Sequence, residues 1–199
     1  LFLRELKSWK IPSPWLQVAI PTNVILAGGD SSIRASNSNL AIDSYSTYQG
    51  NLGVYLNNDG AYIYADNRAI SSSSGFVYDN TTTVVLLGDN TNITSNVQTI
   101  YTKAYGNNTV NVTLSGQNSS LISSGDAIYS YAGYSGVYDS SITVELSGEG
   151  SYIQTSNSTN SVAVYAESYY GVADIAITLS GNNSFIDAAH IGIDSKQGR

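Results

Sequence analysis

The chain has 199 residues, no Cys and no Met, and a net charge of −7 spread over only 12% charged residues. That composition excludes disulfides, thiol catalysis and cysteine-ligated zinc, and a sparse acidic surface argues against nucleic acid as a partner. With 42% apolar residues set in strict alternation the chain can bury surface, which argues against disorder. No apolar run is long enough for a membrane-spanning helix.

Residues 1–21 stand apart from the rest. They hold both Trp (Trp9, Trp15), all three Pro (Pro12, Pro14, Pro21) and three of the eight basic residues (Arg4, Lys7, Lys10). Phe2, Leu6 and Trp9 would share one face of a short helix ending before Pro12. The segment reads as an atypical N-terminal piece, either a cap over the first strands of the chain or the remnant of a longer chain. It is not expected to be a signal peptide, because Pro12 and Pro14 interrupt the apolar stretch such a peptide needs.

From Thr22 to Arg199 one unit recurs. Its clearest copy runs from Ile142 to Ser168: Ile142, Val144 and Leu146 alternate with polar residues, a Ser147-Gly148-Glu149-Gly150 corner comes next, then Ile153, then Val162, Val164 and Ala166. Period two marks strands with one buried face. The corner anchors fall at Gly28, Asn58, Gly88, Gly116, Gly148 and Gly181, so the steps are 30, 30, 28, 32 and 33 residues. Each anchor sits between an apolar pair seven residues apart: Leu26 and Ile33, Leu56 and Ile63, Leu86 and Ile93, Leu114 and Leu121, Leu146 and Ile153, Leu179 and Ile186. A third apolar anchor comes later in each unit, at Ile42, Ile70, Ile100, Ile128, Val164 and Ile193.

Self-similarity at this period means a stacked repeat. The expectation is an all-β parallel β-helix (β-solenoid) of about six three-sided coils of about 30 residues, forming residues 22–199. Neighbouring coils would lie ~4.8 Å apart, giving a rod roughly 29 Å long. Leu26, Leu56, Leu86, Leu114, Leu146 and Leu179 would form one inward ladder. A sandwich of β-hairpins is the rival fold, but it has no need of the constant seven-residue gap.

The segment from the third anchor to the next first-side Leu varies most, at 14, 16, 14, 18 and 15 residues. Tyr gathers in it: Tyr45, Tyr48, Tyr78, Tyr105, Tyr131, Tyr134, Tyr138, Tyr169 and Tyr170. Solenoid insertions fall on one face, often the binding face, and Tyr offers large contact area at little rotamer cost. Tyr105, Tyr134, Tyr138, Tyr169 and Tyr170 are the candidate ligand-binding residues. Tyr101, Tyr129 and Tyr165 each come directly after an inward anchor and would stack outside the coil, either as a stabilising aromatic ladder or as a platform for sugar rings.

The search for catalytic chemistry yields no expected site. Asp79, Asn107 and Asp139 each lie nine residues before their corner anchor, and Asp174 lies seven before; turn capping is the favoured role. Asp30, Asp59, Asp89 and Glu149 come just after the anchors as an acidic edge, read as solvated turn residues. His190 is the sole histidine and has no partner at a defensible spacing. Arg34, Arg68 and Lys103 fall at different places in their coils and would not converge on an acidic sugar. Asn80, Asn92, Asn107, Asn111, Asn118, Asn157 and Asn182 open Asn-x-Ser/Thr triplets, which this composition produces readily. No cofactor, metal or catalytic residue is expected.

The runs Val112-Thr113-Leu114-Ser115-Gly116-Gln117-Asn118-Ser119-Ser120-Leu121 and Ile177-Thr178-Leu179-Ser180-Gly181-Asn182-Asn183-Ser184-Phe185-Ile186, with Asp126-Ala127-Ile128-Tyr129, resemble passenger domains of bacterial autotransporters. The resemblance covers about Thr22 to Arg199. It implies a right-handed, pectin-lyase-like β-helix exported through an outer-membrane barrel to the bacterial surface, or secreted. The partner would be a host or bacterial surface protein or a glycan. The leading expectation is a non-enzymatic adhesin-like segment. The alternatives are a carbohydrate-active β-helix (polysaccharide lyase, hydrolase or phage tailspike module) and a spacer without a ligand.

Overall fold

The computed structural model describes residues 22–28, 31–36, 40–75, 78–133, 136–157 and 159–198. The reading of residues 1–21 as a cap or remnant lies outside them. The described chain is all-β, with its strands in six coils of three. Coil 1 holds β1 (Thr22–Leu26), β2 (Ser32–Ala35) and β3 (Ile42–Ser46); coil 2 holds β4 (Gly50–Leu56), β5 (Tyr62–Ala65) and β6 (Arg68–Ser74). Coil 3 comprises β7 (Asn80–Leu86), β8 (Asn92–Ser95) and β9 (Gln98–Ala104), and coil 4 comprises β10 (Asn108–Leu114), β11 (Ser120–Ser123) and β12 (Ile128–Ala132). Coil 5 is β13 (Ser140–Leu146), β14 (Tyr152–Thr155) and β15 (Val162–Ser168), and coil 6 is β16 (Ala173–Leu179), β17 (Phe185–Ala188) and β18 (Ile191–Gln197).

Every third strand pairs in parallel, producing three six-stranded sheets: β1-β4-β7-β10-β13-β16, β2-β5-β8-β11-β14-β17 and β3-β6-β9-β12-β15-β18. This is a parallel β-solenoid, as the repeat predicts. The register matches the expected ladders: Leu114 pairs with Leu86 and Leu146, and Leu146 with Leu179. Ile63, Ile93, Leu121 and Ile153 line the second sheet, and Ile70, Ile100, Ile128 and Val164 the third, all fully buried.

The constant seven-residue gap has a simple cause. The first corner is five residues long in every coil (27–31, 57–61, 87–91, 115–119, 147–151, 180–184). Its fourth residue lies in the left-handed region wherever described, at Gly60, Asn90, Asn118, Gly150 and Asn183, with φ between 53° and 71°. Asn and Gly are the residues that adopt it at least cost. The anchor glycine has another role: a Cβ on Gly116 would lie 1.9 Å from the Gly88 carbonyl oxygen, and one on Gly148 would lie 2.1 Å from that of Gly116. The corner backbones therefore stack in direct contact.

The other two corners vary, the second from two to six residues and the third from three to seven. The length pattern in sequence pointed chiefly to the third; the six-residue second corners, 36–41 and 156–161, are the feature it understated.

One ladder member departs from expectation. Leu179 keeps its inward register but is 47% exposed, where Leu146 beneath it is 0%. Among the described residues, coil 6 is the last rung, and its apolar residues have a neighbour on one side only.

Candidate functional site: the tyrosine-bearing corners and faces

The coil interior is not purely apolar. Asn80 and Asn108 stand at one position of successive coils, with Ser140 next in the column, and all three are buried. Asn80 Nδ2 donates to Asn108 Oδ1 at 3.1 Å. Asn108 Nδ2 lies 2.9 Å from both Thr102 Oγ1 and Ser130 Oγ. Ser130 Oγ meets Ser140 Oγ at 2.8 Å, and Ser72 Oγ donates to Asn80 Oδ1 at 3.0 Å. Gly50 leaves the space that the Asn80 side chain fills, since a Cβ there would lie 2.2 Å from Asn80 Oδ1. Among the described residues no buried side-chain nitrogen or oxygen lacks a partner. The chemistry of this column is spent on holding coils in register, and Asn80, buried at 1% exposure, presents no amide to solvent.

The carboxylates at the third corner form a second ladder. Asp79 Oδ1 accepts from the Asn107 backbone N–H at 2.8 Å, Asn107 Oδ1 from Asp139 N–H at 2.9 Å, and Asp139 Oδ1 from Val172 N–H at 2.8 Å. The nine-residue offset therefore marks a rung-to-rung cap. At the first corner Asp59 Oδ1 accepts from Asp89 N–H at 2.9 Å and Asp89 Oδ1 from Gln117 N–H at 2.8 Å. Asp30 lies outside the described residues. Asp174 is on β16, exposed, paired with Ser141, and His190 is exposed at a corner. No group of three or more His, Cys, Asp or Glu suited to a metal occurs among the described residues.

On the outer face of the third sheet, Tyr101, Tyr129 and Tyr165 occupy one register column. Tyr101 and Tyr129 stack with ring centroids 5.3 Å apart and planes 9° apart; Tyr129 and Tyr165 continue at 5.2 Å and 30°. The Arg68 guanidinium covers the far face of the ladder, 3.6 Å from the Tyr101 centroid. The ring faces are thus turned on each other, which is the stabilising ladder rather than an open platform. The Tyr129 and Tyr165 hydroxyls both donate to Glu167 Oε2, at 3.4 and 3.2 Å, and Lys196 Nζ lies 3.7 Å from Glu167 Oε1. Burial, then the adjacent Glu167 charge, pushes both phenols above their ordinary value of 10.0.

Arg68 also donates through Nε to Gln98 Oε1 at 2.8 Å, and Gln98 Nε2 to Asp126 Oδ2 at 3.3 Å. Arg34 lies 5.2 Å from the Tyr64 ring centroid, on the second sheet. Lys103 Nζ sits between Tyr105 (5.3 Å) and Tyr131 (5.6 Å). The basic residues are distributed over separate aromatic contacts, as their differing coil positions imply.

The five candidate Tyr residues meet different fates. Tyr169 and Tyr170 are exposed side by side on the corner between β15 and β16, edge to face at 4.4 Å. Tyr105 and Tyr138 are half-buried on earlier turns of the same corner series. Tyr138 packs against Gly133 and Gly136, and a Cβ on Gly136 would lie 2.5 Å from its ring. Tyr134 lies outside the described residues. Two residues outside the candidate set, Tyr45 and Tyr48, are exposed at the coil 1 end of the series, and Tyr48 meets Tyr78 edge to face at 5.3 Å. Equal spacing before the next strand was the signal for Tyr48 and Tyr78, since Gly50 pairs with Asn80.

No protein family, no curated protein and no solved structure matches the chain.

Proposed function

We infer that the chain is a surface-exposed or secreted, adhesin-like β-helical segment that binds through the aromatic residues of its third corner and carries out no catalysis. The observation that carries this reading is the contrast between covered and exposed groups. The corner carboxylates cap backbone N–H groups and the outer ladder rings cover one another, whereas Tyr169 and Tyr170 present an exposed edge-to-face pair. Exposed Tyr pairs on a rigid scaffold lose little entropy on contact. The partner is a host or bacterial surface protein or a glycan. The resemblance to autotransporter passengers supports a bacterial cell-surface location and delivery by an outer-membrane barrel. The solenoid supports it too, because adjacent coils stabilise each other without a large globular core.

The test is adhesion of the purified chain, immobilised on beads, to bacterial and epithelial cells. Tyr169→Ser with Tyr170→Ser is expected to lower retention about tenfold, the loss of a modest hot spot, while the circular dichroism melt stays in place. Unchanged retention would sink the reading and leave a spacer.

A further inference from the structure

The seven Asn-x-Ser/Thr triplets of the sequence fall into very different surroundings. Asn80 is buried, and its Nδ2 donates to Asn108 Oδ1 at 3.1 Å and to Thr82 Oγ1 at 3.4 Å. Asn92 opens β8 and Asn111 stands in the middle of β10, each paired with a strand of the coil on either side. Asn107 Oδ1 accepts from the Asp139 backbone N–H at 2.9 Å, and Asn118 Nδ2 donates to Asn90 Oδ1 at 3.4 Å. Asn182 is exposed at the first corner of coil 6, but the hydroxyl two residues on, Ser184 Oγ, donates instead to the Gly181 carbonyl at 2.8 Å.

Asn157 differs from all of these. It lies on the six-residue second corner of coil 5, 156–161, whereas the second corners of coils 4 and 6 have four residues (124–127) and two (189–190). Asn157, Thr159 and Asn160 are exposed. Thr159 donates to Asn157 Oδ1 twice, through its backbone N–H at 3.0 Å and through its hydroxyl at 2.8 Å. Both bonds fall on the amide oxygen, and Nδ2 has no hydrogen-bond partner among the described residues. The base of the corner is pinned: the Asn157 N–H donates to the Ser124 carbonyl at 3.0 Å, Ser161 Oγ donates to the Asn157 carbonyl, and the Val162 N–H donates to Asp126 Oδ1 at 2.8 Å. A group attached to Nδ2 displaces none of these bonds. An accessible loop carrying Asn with a hydroxyl residue two places on is what attachment of an N-linked sugar requires.

We propose that Asn157 is the acceptor for an N-linked sugar on the folded chain, delivered from a nucleoside diphosphate hexose by a transferase that reads Asn-x-Ser/Thr. In that step a bond forms between Nδ2 and C1 of the sugar. The C1–O bond to the diphosphate breaks with its electron pair, and one Nδ2 proton passes to a base of the transferase. The sugar stands on the second corner of its coil and Tyr169 and Tyr170 on the third, so the modification leaves the tyrosine corner uncovered. This inference does not depend on the adhesion reading.

The test incubates the folded full chain with a soluble Asn-x-Ser/Thr hexosyltransferase and UDP-glucose, read by intact mass and peptide mapping. The expected result is a single added hexose, on Asn157. Asn157→Gln is expected to abolish it and Thr159→Val to slow it at least about tenfold, while Thr159→Ser keeps it. A folded chain that gains no hexose overturns the proposal. So does modification of another triplet as fast as Asn157, or a Thr159→Val variant modified at the parent's rate. Each variant's circular dichroism melt, expected to match the parent's, distinguishes a lost acceptor from lost folding.

Discussion

Gly116 and Asn108 show how closely single atoms set the distance and register between coils. A methyl group on Gly116 has no room, because the Gly88 carbonyl oxygen lies where it would go and belongs to the backbone of the coil beneath. Gly116→Ala is expected to cost about 1–3 kcal/mol or more by overpacking, read as a fall in the urea midpoint. Gly192→Ala, where a Cβ would meet nothing within 4 Å among the described residues, serves as the control and stays near neutral. Asn108→Leu keeps the branching and heavy-atom count but leaves Asn80, Thr102 and Ser130 each short of a partner in a buried position. It is expected to cost roughly 2–4 kcal/mol, and Asn108→Ser less, because a hydroxyl continues the column as Ser140 does. The anchor glycines were legible from their spacing. The role of Asn108 was not: in sequence it is one Asn among many, and only parallel stacking brings it to Asn80 across 28 residues.

At the scale of elements, the outer tyrosine ladder couples β9, β12 and β15 and makes the fold sensitive to alkali. Tyr129 and Tyr165 titrate above 10.0 in the folded chain because burial and Glu167 disfavour the phenolate. A group whose pKa is raised by folding favours the folded state with its full contribution below the unfolded pKa, and that contribution is lost as pH rises through the folded pKa. Stability is therefore expected to hold from neutrality to about pH 10 and to fall beyond it. Urea unfolding at neutral and alkaline pH checks this. Tyr129→Phe with Tyr165→Phe should flatten the alkaline slope, and the ultraviolet band of phenolate should appear later in the folded protein than in urea. The ladder itself was legible, since each ring comes one residue after an inward anchor. Its geometry was not, because whether stacked rings bare their faces or cover them depends on the spacing of adjacent coils and on Arg68 lying over Tyr101.

Across the whole molecule, stability is a sum over neighbouring rungs rather than over one central core. The middle coils have packed neighbours on both sides, and Leu86, Leu114 and Leu146 are fully buried, whereas Leu179 and Ile193 are half exposed. Hydrogen exchange is therefore expected to be slowest in β7, β10 and β13 and fastest in β16–β18, a gradient along the solenoid rather than one global protection factor. Uniform protection through coil 6 in a dilute monomer would contradict it.

The sequence alone determined that a strand triplet repeats, where its first corner turns and which side chains point inward. The causes are period two and the need of one corner position for Gly or Asn, both of them local, together with the recurrence of Gly at five of the six anchors. Only the tertiary structure decided what the outward and polar residues do. Asp79, Asn107 and Asp139, expected as turn caps, cap N–H groups of the next coil rather than of their own turn, Glu167 gathers two phenols and a lysine, and Tyr169 stays exposed beside Tyr170. Their partners stand on another coil or corner, and corners two and three vary in length, so position along the chain did not reveal which groups would meet.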